Sequence, residues 1–388
     1  MLKKIFKSIA VILLIIATVA GLYVYSKISH RPEQPPTAHS FIIDENYNAA
    51  SAKAEAWLTS LYAQNQLPSL SAAVSRDGKL VWAGTIGYAD LMNKIPADSN
   101  STYRIGSISK SLTAVAAMRM NEKGLIDINQ PFNHYLPNFN SGNASYTLKQ
   151  LLSHQAGIRH YNPTFSDNFN TKEYSSTRDA AALVENAPLL FSPGSAFHYS
   201  TYGYTLASLA METAYKLSFE EIVNRGIIEP AKMTSTRAHK TQQTHDKNLT
   251  QPYWLISNTL FEAPEENVSH KYAGGGYLST PTDLVKFGTA LISNELITAE
   301  SKNILWSPVL IVNGTINKEH YALGFRMGED EFGKFAHHGG TANGGYSFLL
   351  IYHDIVVAFS ANYSPDNSGF DRLKAAKDLA NMLRQQQR

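Results

Sequence analysis

The run from Tyr103 to Gly124, YRIGSISKSLTAVAAMRMNEKG, does most to limit what this chain can fold into. Gly106 lets the backbone turn sharply into a helix. Leu112, Val115 and Ala116 then recur at helical spacing, Ala117, Met118 and Met120 add apolar cover, and Gly124 ends the run. A helix so poor in polar surface is mostly buried. Ser107 stands at its first turn, and Lys110 lies one turn on, on the same face, while Ser109 points off it. An amine is thereby brought within reach of a hydroxyl. A hydroxyl is a poor nucleophile at neutral pH until a base takes its proton, and a desolvated lysine can serve. The helix N-terminus adds a positive dipole end where an oxyanion would develop. No other Ser-x-x-Lys occurs in the sequence.

At 388 residues, 44 % hydrophobic and 17 % charged, the chain can bury a sizeable core. The formal net charge is +2, but residues 1–40 carry five Lys/Arg against one Asp/Glu, leaving 29 basic and 31 acidic residues in the rest. No basic patch points to nucleic acid. The absence of cysteine excludes disulfides, thiolate metal sites and a cysteine nucleophile. Lys3, Lys4 and Lys7 precede an apolar run from Ile9 to Tyr25, with no charge until Lys27. That pattern predicts an N-terminal membrane anchor or signal segment over 1–28, with the lysines cytoplasmic and the domain outside, on the periplasmic side of a bacterial inner membrane. Cleavage after Ala20 would instead release a secreted or periplasmic chain. The Pro-rich stretch 29–40 reads as a linker, and 41–388 as one domain.

Along that domain a helix is predicted over Asn48 to Gln64, then a hairpin in which Asp77-Gly78 joins two apolar runs. From about 107 to 271 the chain reads mainly helical, with Thr147 as a cap, helical spacing over Ser176–Asn186 and Tyr202–Tyr215, and a further helix over Phe219–Arg225. Two polar, aromatic-rich segments, Arg159–Tyr174 and Thr234–His270, interrupt it as loops. Strand character returns in Ser347–Tyr352 and Ile355–Tyr363, and a helix closes the chain over Phe370–Gln387. The expected fold is α/β (α+β): an antiparallel sheet built from both chain ends, flanked by helices, with an inserted mainly helical region.

Two further stretches carry chemistry. In Phe191–Tyr204, FSPGSAFHYSTYGY, a Pro-Gly turn leads a tyrosine-rich run into a helix. In His337–Gly345, HHGGTANGG, glycines beside a strand allow a substrate to approach the backbone. The His pair has no third ligand at recognisable spacing, so no metal is expected. In this order the three segments resemble the active site of the serine β-lactamase and penicillin-binding family, nearest to its class C and D-aminopeptidase/esterase branch and to the mitochondrial-type β-lactamase-like serine proteins. LLSHQAGIRHY (Leu151–Tyr161) and AGGGYLSTPTDLVKFG (Ala273–Gly288) extend the resemblance.

The resemblance implies a β-lactamase/transpeptidase-like fold and a covalent acyl-enzyme at Ser107, with Lys110 and Tyr199 as proton relay and no cofactor. It implies that His338, Gly339 and Gly340 line the strand facing the nucleophile, where relatives carry Lys-Thr-Gly, and that backbone N–H groups of Ser107 and Thr341 form the oxyanion hole. Thr201 replaces the usual Asn of Tyr-x-Asn, a departure shared with the mitochondrial-type branch. The function expected is a membrane-anchored serine hydrolase acting on a peptide, amide or ester. A penicillin-recognising sensor and a non-catalytic scaffold of the same fold are the alternatives. With histidine for lysine at 338, recognition of a substrate carboxylate is expected to depend on protonation of His338.

Overall fold

A computed structural model describes Leu13 and residues 16–29, 38–42, 47–139, 145–161, 170–240, 246–365 and 369–384. Both chain ends contribute to one sheet. The first end supplies β1 (His39–Ile42), β2 (Ser69–Arg76) and β3 (Lys79–Asp90); the last supplies β4 (Arg326–Asp330), β5 (Gly333–Ala342), β6 (Gly345–Ile351) and β7 (Ile355–Ala361). Their order across the sheet is β4-β5-β6-β7-β2-β3-β1, with Ile95–Pro96 pairing against β3. Every neighbouring pair is antiparallel. The two ends meet where Val357 pairs with Val74 and Ala358 with Ala73. Asp77 and Gly78 turn the β2–β3 hairpin with φ of 49° and 81°, the pair of positive values that a tight hairpin turn with native twist requires.

Because side chains alternate along a strand, this sheet feeds two cores. Val74, Val357 and Leu350 belong to one, with Leu58 and Leu379; Ala73, Ala358 and Leu349 belong to the other, with Leu112 and Leu284. The longer helices among the described residues of the domain are α1 (Asn48–Gln64), α2 (Ser109–Glu122), α3 (Thr177–Glu185), α4 (Thr201–Tyr215), α5 (Pro281–Ile292) and α6 (Arg372–Arg384). α1 and α6 cover the first face, and α5 and the helical insertion cover the second. α2 runs through the second core with every residue from Ser109 to Met118 buried, as its lack of a polar face requires. Side-chain caps fix the helix starts: Ser176 for α3, Ser200 for α4 and Thr280 for α5, each accepting a backbone N–H from the first turn.

Three expectations about organisation need correction. The segment Thr234–His270 is not only loop, because Tyr253–Ile256 and Thr259–Glu262 form a hairpin through Ser257 and Asn258, both at positive φ. The stretch 29–40 is not wholly linker either. Ile28 and Ser29 pair with Phe261 and Leu260 of that hairpin, Lys27 forms an ion pair with Glu262, and His39 and Ser40 already pair with Thr85 and Gly84. Phe219–Val223 is helical, but the next residues, Asn224–Ile228, widen into a π-helix. Residues 16–26 are helical, and among the described residues no helix is long and apolar enough to cross a membrane. Residues 1–12, 14 and 15, where the predicted segment begins, lie outside the described residues, as do 162–169 of the Arg159–Tyr174 loop.

Candidate active site

The site forms where the start of α2 meets the end of β5. Gly106 opens a short 3₁₀ turn, Gly106–Ile108, with φ of 49°. A Cβ there would lie 2.7 Å from the carbonyl oxygen of Thr341, so only glycine allows β5 to close on this turn. Between Ile105 and Lys110, Ser107 alone is not fully buried. Ser109 is buried, donating to the Gly106 carbonyl at 2.7 Å and accepting the Tyr277 N–H at 3.2 Å, so it braces the turn from behind.

Lys110 is completely buried, with Nζ 3.3 Å from Ser107 Oγ, 3.1 Å from Thr201 Oγ1 and 2.5 Å from the Gly274 carbonyl. No carboxylate is among these contacts. Burial, then the charges of Arg326 and Lys271, hold its pKa well below the usual lysine value. A neutral amine has two N–H bonds and one lone pair. Gly274 can only accept and Thr201 can accept, which leaves the lone pair for the Ser107 hydroxyl. Tyr199 lies against this group, with the lysine nitrogen 4.7 Å from its ring centre and its hydroxyl hydrogen-bonded to Ser107. Burial raises the Tyr199 pKa, so its phenol keeps its proton.

A cleft of about 790 Å³ opens over these groups. On β5 the alternation puts His337, Gly339 and Thr341 on its wall, while His338 and Gly340 are buried behind. This corrects the expectation for His338. Its Nδ1 lies 2.8 Å from the Gly339 carbonyl and its Nε2 3.0 Å from the Tyr321 hydroxyl, so both nitrogens are used within the protein. Burial, Arg326 and Lys110 hold its pKa well below the usual histidine value. Its side chain does not line the cleft. Gly340 is also turned away from the cleft, where a Cβ would sit 1.9 Å from the Ile105 carbonyl oxygen. Thr201 and Thr341 do reach the cleft, Thr201 as the Lys110 partner.

The permanent positive charges on the cleft wall come from residues the sequence reading did not single out. Arg372, at the start of α6, donates to the Gly340 carbonyl at 2.8 Å and to Thr341 Oγ1 at 3.2 Å. Arg326 is the first residue of β4, where its pairing with His337 ends that ladder, and its guanidinium is ion-paired with Glu319 at 3.2 Å. Beyond it β4 no longer pairs with β5, and residues 338–342 pair only with β6. Lys271 is paired with Glu266. No cue in the local sequence marks Arg326 or Arg372, because each arrives from a distant element. Among the described residues no cluster of His, Cys, Asp and Glu could hold a metal ion.

The Beta-lactamase family model matches residues 54–382. The human serine beta-lactamase-like protein LACTB, mitochondrial, is 28 % identical over 375 residues, covering 73 % of this chain and 68 % of that protein. The octameric penicillin-binding protein homologue from Pyrococcus abyssi superposes with a TM-score of 0.72 at 25 % identity, over 86 % of this chain and 77 % of the other. A D-stereospecific amidohydrolase from Streptomyces sp. shares the fold, with a TM-score of 0.66 at 24 % identity over 81 % of this chain and 94 % of the other. Since the family match runs from within α1 to within α6 and takes in every strand of the sheet but β1, with the helices around Ser107, the chain belongs to the β-lactamase family and is a serine hydrolase of that kind.

Proposed function

We propose that this chain hydrolyses a peptide, amide or ester through an acyl-enzyme on Ser107. The observation that carries the reading is the buried, uncompensated Lys110 amine 3.3 Å from the Ser107 hydroxyl. Neutral Lys110 accepts the Ser107 proton as Oγ attacks the carbonyl carbon. Tyr199, held protonated beside both, passes a proton to the leaving group and takes the new one from Lys110. The backbone N–H groups of Ser107 and Thr341 receive the oxyanion. Water then attacks the acyl carbon with the relay running in reverse, freeing Ser107. With Arg326 and Arg372 on the wall and His338 turned away, the cleft suits a substrate bearing a carboxylate. Labelling with a fluorophosphonate probe should modify Ser107 and vanish in Ser107→Ala. Undiminished labelling of that variant would overturn the assignment.

The N-terminal segment is read as a tether to a membrane, with the domain on the far side from the lysines. Leu13, Ile16 and Leu22 are 60 %, 58 % and 64 % exposed, so this apolar stretch finds no cover on the domain. In the ladder that follows it, Ile28 pairs with Phe261 and Phe261 with Trp254, a cleft residue, so the tether would enter beside the cleft. Full-length protein should stay with membranes through a high-salt wash. Recovery of soluble chains beginning at Gly21 would show cleavage instead.

A further inference from the structure

The reaction just described makes no use of His154, yet this residue grips Tyr199 from both sides. His154 follows the short helix Leu148–Leu152 and has a left-handed backbone, φ 62°, uncommon for a residue with a side chain. Its carbonyl accepts the His198 N–H at 2.9 Å, and its Nδ1 accepts the Ser200 N–H at 3.1 Å. The residue between those two amides is Tyr199, whose ring centre lies 4.3 Å from that of His154. Six residues on, His160 repeats the contact, its Nδ1 accepting the Thr201 N–H at 3.2 Å, while the Arg159 carbonyl accepts the Ser200 hydroxyl at 2.7 Å. Tyr199 stands just before the cap of α4, where helical hydrogen bonds do not hold the chain. These contacts take their place.

An imidazole that accepts through Nδ1 is neutral and carries its proton on Nε2. The surroundings favour this state: His154 is fully buried among the rings of Phe197, Tyr199, Tyr204 and Tyr321, and Arg326 also acts against a positive charge on it. We propose that His154 is a positioning residue for Tyr199, fixing the phenol against Ser107 and Lys110, and that His160 extends the same grip to Thr201. The proposal rests on the reading of Tyr199 as part of the proton relay. A displacement of about 1 Å in such a group lowers turnover about 10²-fold.

The test uses the full chain and a chromogenic p-nitrophenyl ester, with His154→Ala, His154→Asn and His154→Gln each made alone and together with Tyr199→Phe. Asn places its side-chain oxygen where Nδ1 lies and tolerates the left-handed backbone. Gln is closer to histidine in volume but places its polar end where Nε2 lies. His154→Ala should lower kcat by about 10- to 100-fold with KM moved less than about twofold. Asn should restore kcat to within about fivefold, Gln should not, and in the Tyr199→Phe background all three should differ by less than about twofold. A merely space-filling role predicts the reverse order of Asn and Gln and equal losses in both backgrounds, and either result overturns the proposal. A Tyr199→Phe enzyme as fast as the parent would overturn the relay and this proposal together. A slow Tyr199→Phe beside a fast His154→Ala would overturn the positioning role alone. Should His154→Ala fail to fold, the comparison of Asn with Gln decides.

Discussion

The behaviour of Lys110 follows from burial without a counter-ion. Its pKa is lowered because a charge there would lose water and face Arg326 and Lys271, so the neutral base forms at a pH well below the usual lysine range. The rate should therefore rise with pH along a limb set by Lys110. Arg326→Gln removes one of the charges that lower this pKa, so the limb should shift to higher pH, read from kcat/KM for a neutral ester. An unmoved limb would remove Lys110 as the titrating base. Lys110→Ala and Tyr199→Phe should each lower the rate by several orders of magnitude, and the double variant should lose far less than the product, as groups serving one proton do. The sign for stability is the reverse of an ion pair's. The unfolded chain binds the Lys110 proton more readily than the folded one, so Lys110→Met should gain stability over the parent at pH 7 relative to its standing at pH 10, as denaturant titration at the two pH values would show.

At the scale of elements, the site depends on how closely β5 approaches the Gly106 turn. Ser347 Oγ bonds the Ile105 carbonyl at 3.0 Å through the gap that Gly340 leaves. Gly340→Ala would drive a methyl group into that carbonyl. We expect a loss of at least about 100-fold in kcat/KM, since the oxyanion donors sit on the two elements forced apart. Gly226→Ala is the control: its Cβ would meet only Arg119 Cδ, at 3.8 Å, and activity and melting temperature should stay near those of the parent. Equal activity in the two variants would show that the β5 approach does not set the site.

For the whole molecule, buried neutral histidines make the fold sensitive to acid. Burial, with neighbouring cations, pushes His160, His239 and His337 down to about 3, and His154 and His338 are lowered by the same cause. Their unfolded values lie near 6.5, so the stabilisation is complete above that pH and is lost progressively as pH falls from about 6.5 toward 3. By pH 5 each fully buried group of this kind costs up to about 2 kcal/mol. The melting temperature should fall clearly between pH 7 and pH 5, and His239→Gln, whose side chain does not line the cleft, should lessen the fall. A melting temperature equal at both pH values would mean that these imidazoles charge within the folded state.

Interactions spanning a few residues were legible in the chain itself. Asp77-Gly78 marked a turn because few residues tolerate two positive φ values in succession, and α1 was readable to its ends from the spacing of Ala54, Leu58 and Leu61. The adjacency of Ser107 and Lys110 follows from one helical turn. Facing depends on distant partners, and there local reading failed. His337 and His338 are chemically alike in sequence, and only the pairing of β5 with β6 decides which meets the cleft and which meets Tyr321. The Tyr253–Glu262 hairpin looked like loop because its strands are short and half-exposed, although Ser257-Asn258 between apolar runs was a usable turn signal. Arg326 and Arg372 carry no local mark, since each gains its place from elements far away in the chain, and His154 stood in the quoted run Leu151–Tyr161 with nothing in it to tie the imidazole to Tyr199. Sequence determined which helices and turns can form and which hydroxyl has an amine beside it. Tertiary structure decided which side chains share the cleft, because a period-two strand commits each residue to a face only once its neighbours are in register.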